Sequence, residues 1–288
     1  MVPQIATRLA FLTFISWLSS TSALEVSRRA VLITSIPSMA TAIEPNGLAY
    51  RLQQRDPAAL KNRLFNLPPT QQLYPTWMRG LWNIEMSFSG FLFPSQTITK
   101  ETLLRDFAIA GFQKCSIAHI ADVGKEKVTM PMAIDRETGW EDRVFNLRQT
   151  IDAHLGYAAV QEVLYDGKKN PNRIGINFVN YRTTNAERIE LFCNAREAEE
   201  YETNGTSYFV HGEYIRQVTF GTGSTVGVPR QVSTNYGHFW TWQKESDNSI
   251  RGNLLTAAYL DPQDPLYFQE PTLPVVIYSH LLTGKLVV

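Results

Sequence analysis

The chain has 288 residues, with 27 Lys and Arg against 27 Asp and Glu, 44% hydrophobic residues and two cysteines. That composition excludes a disulfide-rich mini-protein and a disordered chain, and balanced charge supplies neither a basic field for nucleic acid nor a polybasic membrane patch. The 11% aromatic fraction, with 17 Gly and 15 Pro, points to strands and turns in one large domain or two small ones.

Residues 1–23 carry one basic side chain, Arg8, then an apolar run over 9–18, then small residues ending at Ala23, the pattern of a secretory signal peptide. As a helix the run rises only ~15 Å, half of a bilayer's hydrocarbon core, which is too short for an anchor. Residues 24–42 repeat the unit, with Ser27-Arg28-Arg29, an apolar stretch over 30–39 and Ala40-Thr41-Ala42. This resembles a twin-arginine signal with an A-x-A cleavage site.

Tandem leaders of this kind resemble the multi-stage targeting of secondary plastids, in which a short transit segment separates a signal peptide from a thylakoid signal. The implied destination is the thylakoid lumen. The alternative is one secretory signal followed by an Arg-rich propeptide and a secreted product, for which Asn204-Gly205-Thr206 is a glycan acceptor. Removing residues 1–42 takes away Arg8, Arg28, Arg29 and Glu25, leaving 24 basic and 26 acidic side chains. No later stretch reaches the ~18 apolar residues of a spanning helix, so the mature form is expected to have no transmembrane segment.

Residues 43–73 are rich in Pro, Gln, Asn and Arg and read as an extended arm with a helical turn or two. From there the pattern becomes period 2. Trp82, Ile84, Met86 and Phe88 alternate with Asn83, Glu85, Ser87 and Ser89, a half-buried strand stopped by Gly90 and Pro94. Further strands are predicted at 115–123, 127–133, 158–165, 173–181, 188–193, 207–220, 238–243, 250–260 and 275–282. Asp166-Gly167 and Asp247-Asn248 supply tight turns, and one helix is predicted at 141–155, with Val144, Leu147, Ile151 and Leu155 on a stripe and Gly156 as its C-cap. Many strands without βαβ alternation, and with no internal repeat, predict a mostly β fold, an antiparallel barrel domain over 74–288 with one or two short helices.

At the start of the first strand stands Tyr74-Pro75-Thr76-Trp77-Met78-Arg79-Gly80-Leu81-Trp82. Its Gly80-x-Trp82 resembles the G-x-W signature of lipocalins and the wider calycin group. The resemblance implies a calycin β-barrel in which Gly80 lets the chain cross the barrel floor closely and Trp82 plugs that closed end. A second element, Thr234-Asn235-Tyr236, is similar to the lipocalin T-D-Y turn before a late strand, with Asn235 where Asp is usual. The separation of the two exceeds that of compact lipocalins and implies insertions. The string from Tyr74 to Pro94, with Asn170-Pro171-Asn172-Arg173, also resembles an uncharacterised family of cyanobacterial and plastid proteins over roughly residues 60–285, a domain of unknown function. That resemblance implies a fold and a compartment but no catalytic residues.

The five histidines, at 119, 154, 211, 238 and 280, are scattered, with no metal-ligand spacing among them. They read as hydrogen-bonded barrel or surface residues. His119 shares a strand face with Cys115 and is the one expected to point into a cavity. Cys115 and Cys193 lie on separate predicted strands, as two buried thiols or, in an oxidising lumen, as one disulfide. The loop from Gly221 to Gly227 does not fit a dinucleotide motif, and the acid pair Glu199-Glu200 reads as solvated. No catalytic group, metal site or cofactor is identified.

Aromatic residues on strands, Phe239, Trp240 and Trp242 among them, fill the interior of a small barrel or line a pocket in a wider one. The expected function is therefore a non-enzymatic lumenal protein that binds a hydrophobic small molecule, a pigment, a quinone or a lipid product, with His119, Phe239, Trp240 and Trp242 against the ligand. Two alternatives stay open: an assembly factor for photosynthetic complexes that docks a photosystem or thylakoid protein through the arm, and a small-molecule isomerase on a calycin barrel.

Overall fold

The alternating segments fold as nine strands of one sheet in a computed structural model that describes residues 43–54, 57–61, 71–105, 127–179, 186–221 and 231–287. In chain order these are β1 (Gly80–Leu92), β2 (Lys127–Ile134), β3 (Val160–Leu164), β4 (Arg173–Phe178), β5 (Arg188–Thr203), β6 (Thr206–Phe220), β7 (Gln231–Ser246), β8 (Ser249–Tyr259) and β9 (Val276–Leu286). Helix α1 (Leu48–Gln53) precedes the sheet, α2 (Lys100–Arg105) follows β1, and α3 (Arg143–Leu155) joins β2 to β3. No described helix is long and apolar enough to cross a membrane.

Every pairing is antiparallel, in the order β2-β1-β9-β8-β7-β6-β5-β4-β3. The mostly β, antiparallel expectation holds; the closed barrel does not. Strands β2 and β3 stand at opposite ends of the order and do not pair, so the sheet is open. Helix α3 contacts both of these edge strands instead.

The contacts of α3 replace strand pairing bond by bond. On β2, Ala133 donates its N–H to Asn146 Oδ1 at 2.7 Å and accepts from Asn146 Nδ2 at 3.1 Å, so one side-chain amide imitates a neighbouring strand. On the β3 side, Asp152 Oδ1 accepts the N–H groups of Ala159 and Val160, and Arg148 donates to the Gln161 carbonyl. An unpaired sheet edge invites wrong partners, and these groups occupy it.

Asp142 caps α3 by accepting the Phe145 N–H at 3.0 Å, and Gly156 closes it at φ 77° as expected. The expected stripe is only partly the buried one. Leu147 and Ile151 face inward, but Val144 is exposed while Arg143, Asn146 and His154 are buried. A helix that meets a strand edge and a polar interior turns polar groups inward.

Strand β7, read as 238–243, is found over Gln231–Ser246, and β5, read as 188–193, over Arg188–Thr203. Its second half joins β6 through Asn204-Gly205, at φ 51° and 72°. Two consecutive positive φ values make the tight turn whose twist suits a hairpin, and Asn-Gly is the dipeptide that tolerates them. A shift of register between Cys193 and Ala195 bends β5 midway. The lipocalin-like turn is likewise displaced, because Thr234, Asn235 and Tyr236 lie inside β7, paired with β6. Predicted strand 115–123, with Cys115 and His119, lies outside the described residues.

The outer face of β5 and β6 is covered by residues 43–54 and 57–61. Leu48 and Ala49 are buried there with Tyr214, Phe239 and Tyr259. Glu199, expected in solvent, accepts the backbone N–H groups of Glu44 and Ala49, while Glu200 accepts from the Trp77 indole. Arg51 pairs with Glu197 and the Tyr259 hydroxyl donates to the Leu60 carbonyl at 2.6 Å. The arm is held by its own sheet.

At the opposite region Trp82 is fully buried, its indole N–H donating to the Met78 carbonyl at 2.7 Å. Gly80 starts β1 at φ 130°, and a Cβ there would stand 3.0 Å from a Leu286 methyl. Replacing Asn146 by Leu keeps its size but orphans the Ala133 N–H. It should cost ~1–3 kcal/mol in urea unfolding and speed hydrogen exchange at Ala133, and an unchanged midpoint with unchanged exchange would remove α3's role as edge cap.

Candidate functional site

The concave face of the sheet and the inner face of α3 border a partly open cavity of about 90 Å³. Its walls come from β1 and β2 at one end of the strand order and from β8, β7 and β6 around its middle, because the sheet curls around the helix. One part of the lining is apolar, with Met86, Met130, Leu254 and Trp242 packed in a single cluster that also contains Trp82. The other part is polar. It holds Arg143, Glu141 and Asn146 from α3 and its lead-in, and His211, Glu213 and His238 from β6 and β7.

Strand geometry explains the gathering. Phe209, His211 and Glu213 alternate along β6 onto one face, and the pairing sets His211 opposite Trp240 and Glu213 opposite His238. Trp240 and Trp242 follow on the same face of β7, their rings parallel within 6° at 6.0 Å. Phe239, the residue before Trp240, points to the other face and packs edge-on against Tyr214 under the arm. Trp240 and Trp242 thus line the cavity and Phe239 does not; His119 lies outside the described residues.

Glu213 is the electrostatic centre. Arg143 and Arg196 both donate to its Oε1, Arg196 from 2.6 Å, and Arg143 also lies 3.6 Å from Glu141. Burial alone would push the Glu213 carboxyl up, but the two guanidiniums override it and hold the group well below the usual carboxylate range. Burial, reinforced by the Glu213 charge, pushes the Cys193 thiol up to about 12. Cys193 is a buried free thiol, its Sγ 3.4 Å from the Ala195 carbonyl, and its expected partner Cys115 lies outside the described residues.

His211 stands outside this network, as does the buried, unpartnered indole N–H of Trp242 in the same lining. It is 4% exposed, stacked between Phe209 at 5.2 Å and Trp240 at 5.8 Å, with Tyr74 edge-on, and neither ring nitrogen has a hydrogen-bond partner. Burial, helped by the Arg143 and Arg196 charges against that of Glu213, lowers its pKa to about 3. His280, 1% exposed on β9 beside Phe88, also has two unpartnered nitrogens and is lowered to about 3 by burial and by His154 and His238. A buried polar atom without a partner costs free energy until a water or another polar atom meets it.

Sequence reasoning set these histidines aside because no spacing joined them. The buried segment of β6 has both faces covered, so polar and apolar residues do not alternate there to expose an inward set. Among the described residues no group of three or more His, Cys, Asp and Glu side chains is arranged to hold a metal ion. The arrangement can accept a small molecule and hydrogen-bond one of its atoms. The family model described as Domain of unknown function (DUF6816) matches residues 68–283, and neither the curated proteins nor the solved structures give a match.

The histidines make stability depend on acid in a defined direction. An unfolded imidazole titrates near 6.5 and the folded ones near about 3, so between these values the unfolded chain binds more protons. Stability is complete above ~6.5 and falls with pH by up to ~1.4 kcal/mol per unit for each histidine. His211→Phe keeps the stack and removes the orphaned nitrogens. In urea titrations at several pH values it should stabilise the protein at pH 7 by ~1–3 kcal/mol and flatten the acid slope; a destabilised variant with the slope intact would contradict this description of the site.

Proposed function

The chain belongs to the DUF6816 family, whose model covers most of it, and on that footing we propose that the protein binds a small hydrophobic molecule in the cavity between the sheet and α3. One observation carries the reading: a chamber with one apolar wall of methionine and tryptophan has in its lining a buried imidazole with both nitrogens unpartnered. Pockets for small molecules combine such apolar walls with a few placed polar groups.

Size narrows the ligand. An apolar cavity of ~150 Å³ holds benzene, so about 90 Å³ suits a ring only after its walls give way. Met86, Met130 and Met132 line it, and unbranched methionine side chains repack at low cost. A quinone ring or a short lipid product is of the right scale. A whole pigment is not.

Trp240 and Trp242 make the binding visible. Titration with ethylbenzene, duroquinone and hexan-1-ol should quench tryptophan fluorescence saturably at micromolar concentration for at least one of them. At a hundredfold excess over Kd the occupied protein should gain ~2.7 kcal/mol, a rise in Tm of ~5–10 °C. No quenching and no rise across the set would overturn the reading.

The compartment rests on the leader alone. Residues 1–42, with their two signal-like units, support a thylakoid lumen as the place of action. A fluorescent fusion of residues 1–50 should label plastids, and labelling of the secretory pathway without plastids would send the protein out of the cell instead.

A further inference from the structure

We infer that the cavity's occupant is an uncharged molecule whose polar atom is a hydroxyl or carbonyl oxygen held against the His211 imidazole, not a carboxylate and not an ammonium. This rests on the binding reading above and adds the chemical class of ligand.

Charge balance in the wall carries the first half. Arg143, Glu213 and Glu141 line the chamber, and Arg196, outside the lining, bonds Glu213, so two guanidiniums stand against two carboxylates. Each guanidinium already has a carboxylate partner, and Glu213 sits between both. A carboxylate brought into this chamber would lose its water and meet no cation in excess. An ammonium would meet no anion in excess. Transferring a charge from water into such a site is costly unless it is paired there.

The chemistry of His211 carries the second half. A neutral imidazole has one N–H donor and one nitrogen acceptor, so it can serve a hydroxyl through either function and a carbonyl through its N–H. Burial keeps it neutral throughout the ordinary pH range. Its two faces are taken by Phe209 and Trp240, and Tyr74 stands against it edge-on, so its remaining polar capacity lies at the ring edge. Among the described residues no donor or acceptor reaches either nitrogen, and both lie beneath the chamber's present surface, so the yielding of the methionine wall that admits a ring is also what brings its oxygen to them. An oxygen-bearing apolar ring placed against the Met86, Met130 and Leu254 wall would satisfy His211 without disturbing the ion pairs.

Four ring compounds of matched size test this on the intact folded protein: 4-ethylphenol, ethylbenzene, 4-ethylbenzoate and 4-ethylbenzylamine, each titrated by tryptophan quenching and by shift of Tm at pH 7. The phenol should bind about tenfold more tightly than ethylbenzene, and the two ions at least tenfold more weakly than ethylbenzene. Lowering the pH toward the benzoate's own pKa should restore its binding as it becomes neutral. In His211→Phe the phenol should lose its tenfold advantage over ethylbenzene measured on the same variant, whatever the shift in ethylbenzene's own affinity. Should 4-ethylbenzoate equal or surpass the phenol at pH 7, or the phenol keep its advantage in His211→Phe, the ligand class is overturned while the binding reading stands. Should none of the four bind, a water-filled interior replaces both.

Discussion

A nine-stranded sheet that does not close on itself leaves two edges of unpaired backbone, and the architecture depends on how they are occupied. Helix α3 meets both. Asn146 bonds β2 as a strand would, Asp152 holds the start of β3, and Arg148 reaches the carbonyl of Gln161. A helix is ~10–12 Å across with its side chains, about two strand spacings, so it keeps the edges apart where direct pairing would have brought them together. The chamber beneath α3 is the space this spacing leaves.

A helix used this way cannot be amphipathic in the ordinary sense. Its inner face must carry hydrogen-bonding groups for the strand edges as well as apolar ones for the core, and this is where Arg143, Asn146 and His154 are buried. Arg143 then brings a charge into the interior, which Glu213 and Glu141 neutralise and to which Arg196 adds a second cation. The buried ion cluster follows from bridging the sheet with a helix that starts at the chamber's wall. Its cost in desolvation is offset only because the partners are mutually bonded. His211, two residues from Glu213 on the same face, has no such partner.

Much of the fold was legible in the sequence because the signals were local. Period-2 alternation in Trp82, Ile84, Met86 and Phe88, the Asp247-Asn248 turn and the Gly156 cap each mark their element without reference to the rest. Trp240 and Trp242 were legible as cavity residues by their size and their alternation on one strand. Phe239 was not separable from them by type, and only the parity of its position sends it to the arm-covered face. The extension of β5 beyond Cys193 was hidden by its charged residues. Glu197, Glu199 and Glu200 look like solvent-facing chain until the arm and Trp77 are seen to bind them.

The sequence by itself determined the antiparallel, mostly β class, the position of the one long helix among the described elements and the aromatic supply of the interior. These depend on periods of two and of 3.6 residues and on turn chemistry, all readable within a few positions. Only the tertiary structure decided that the sheet stays open, that α3 fills the gap, and that His211, Glu213, Arg143 and Trp240 share one chamber. Strand pairing joins residues far apart in the chain, and neither the curl that faces β2 toward β6 nor the register that sets His211 opposite Trp240 leaves a local mark on the sequence.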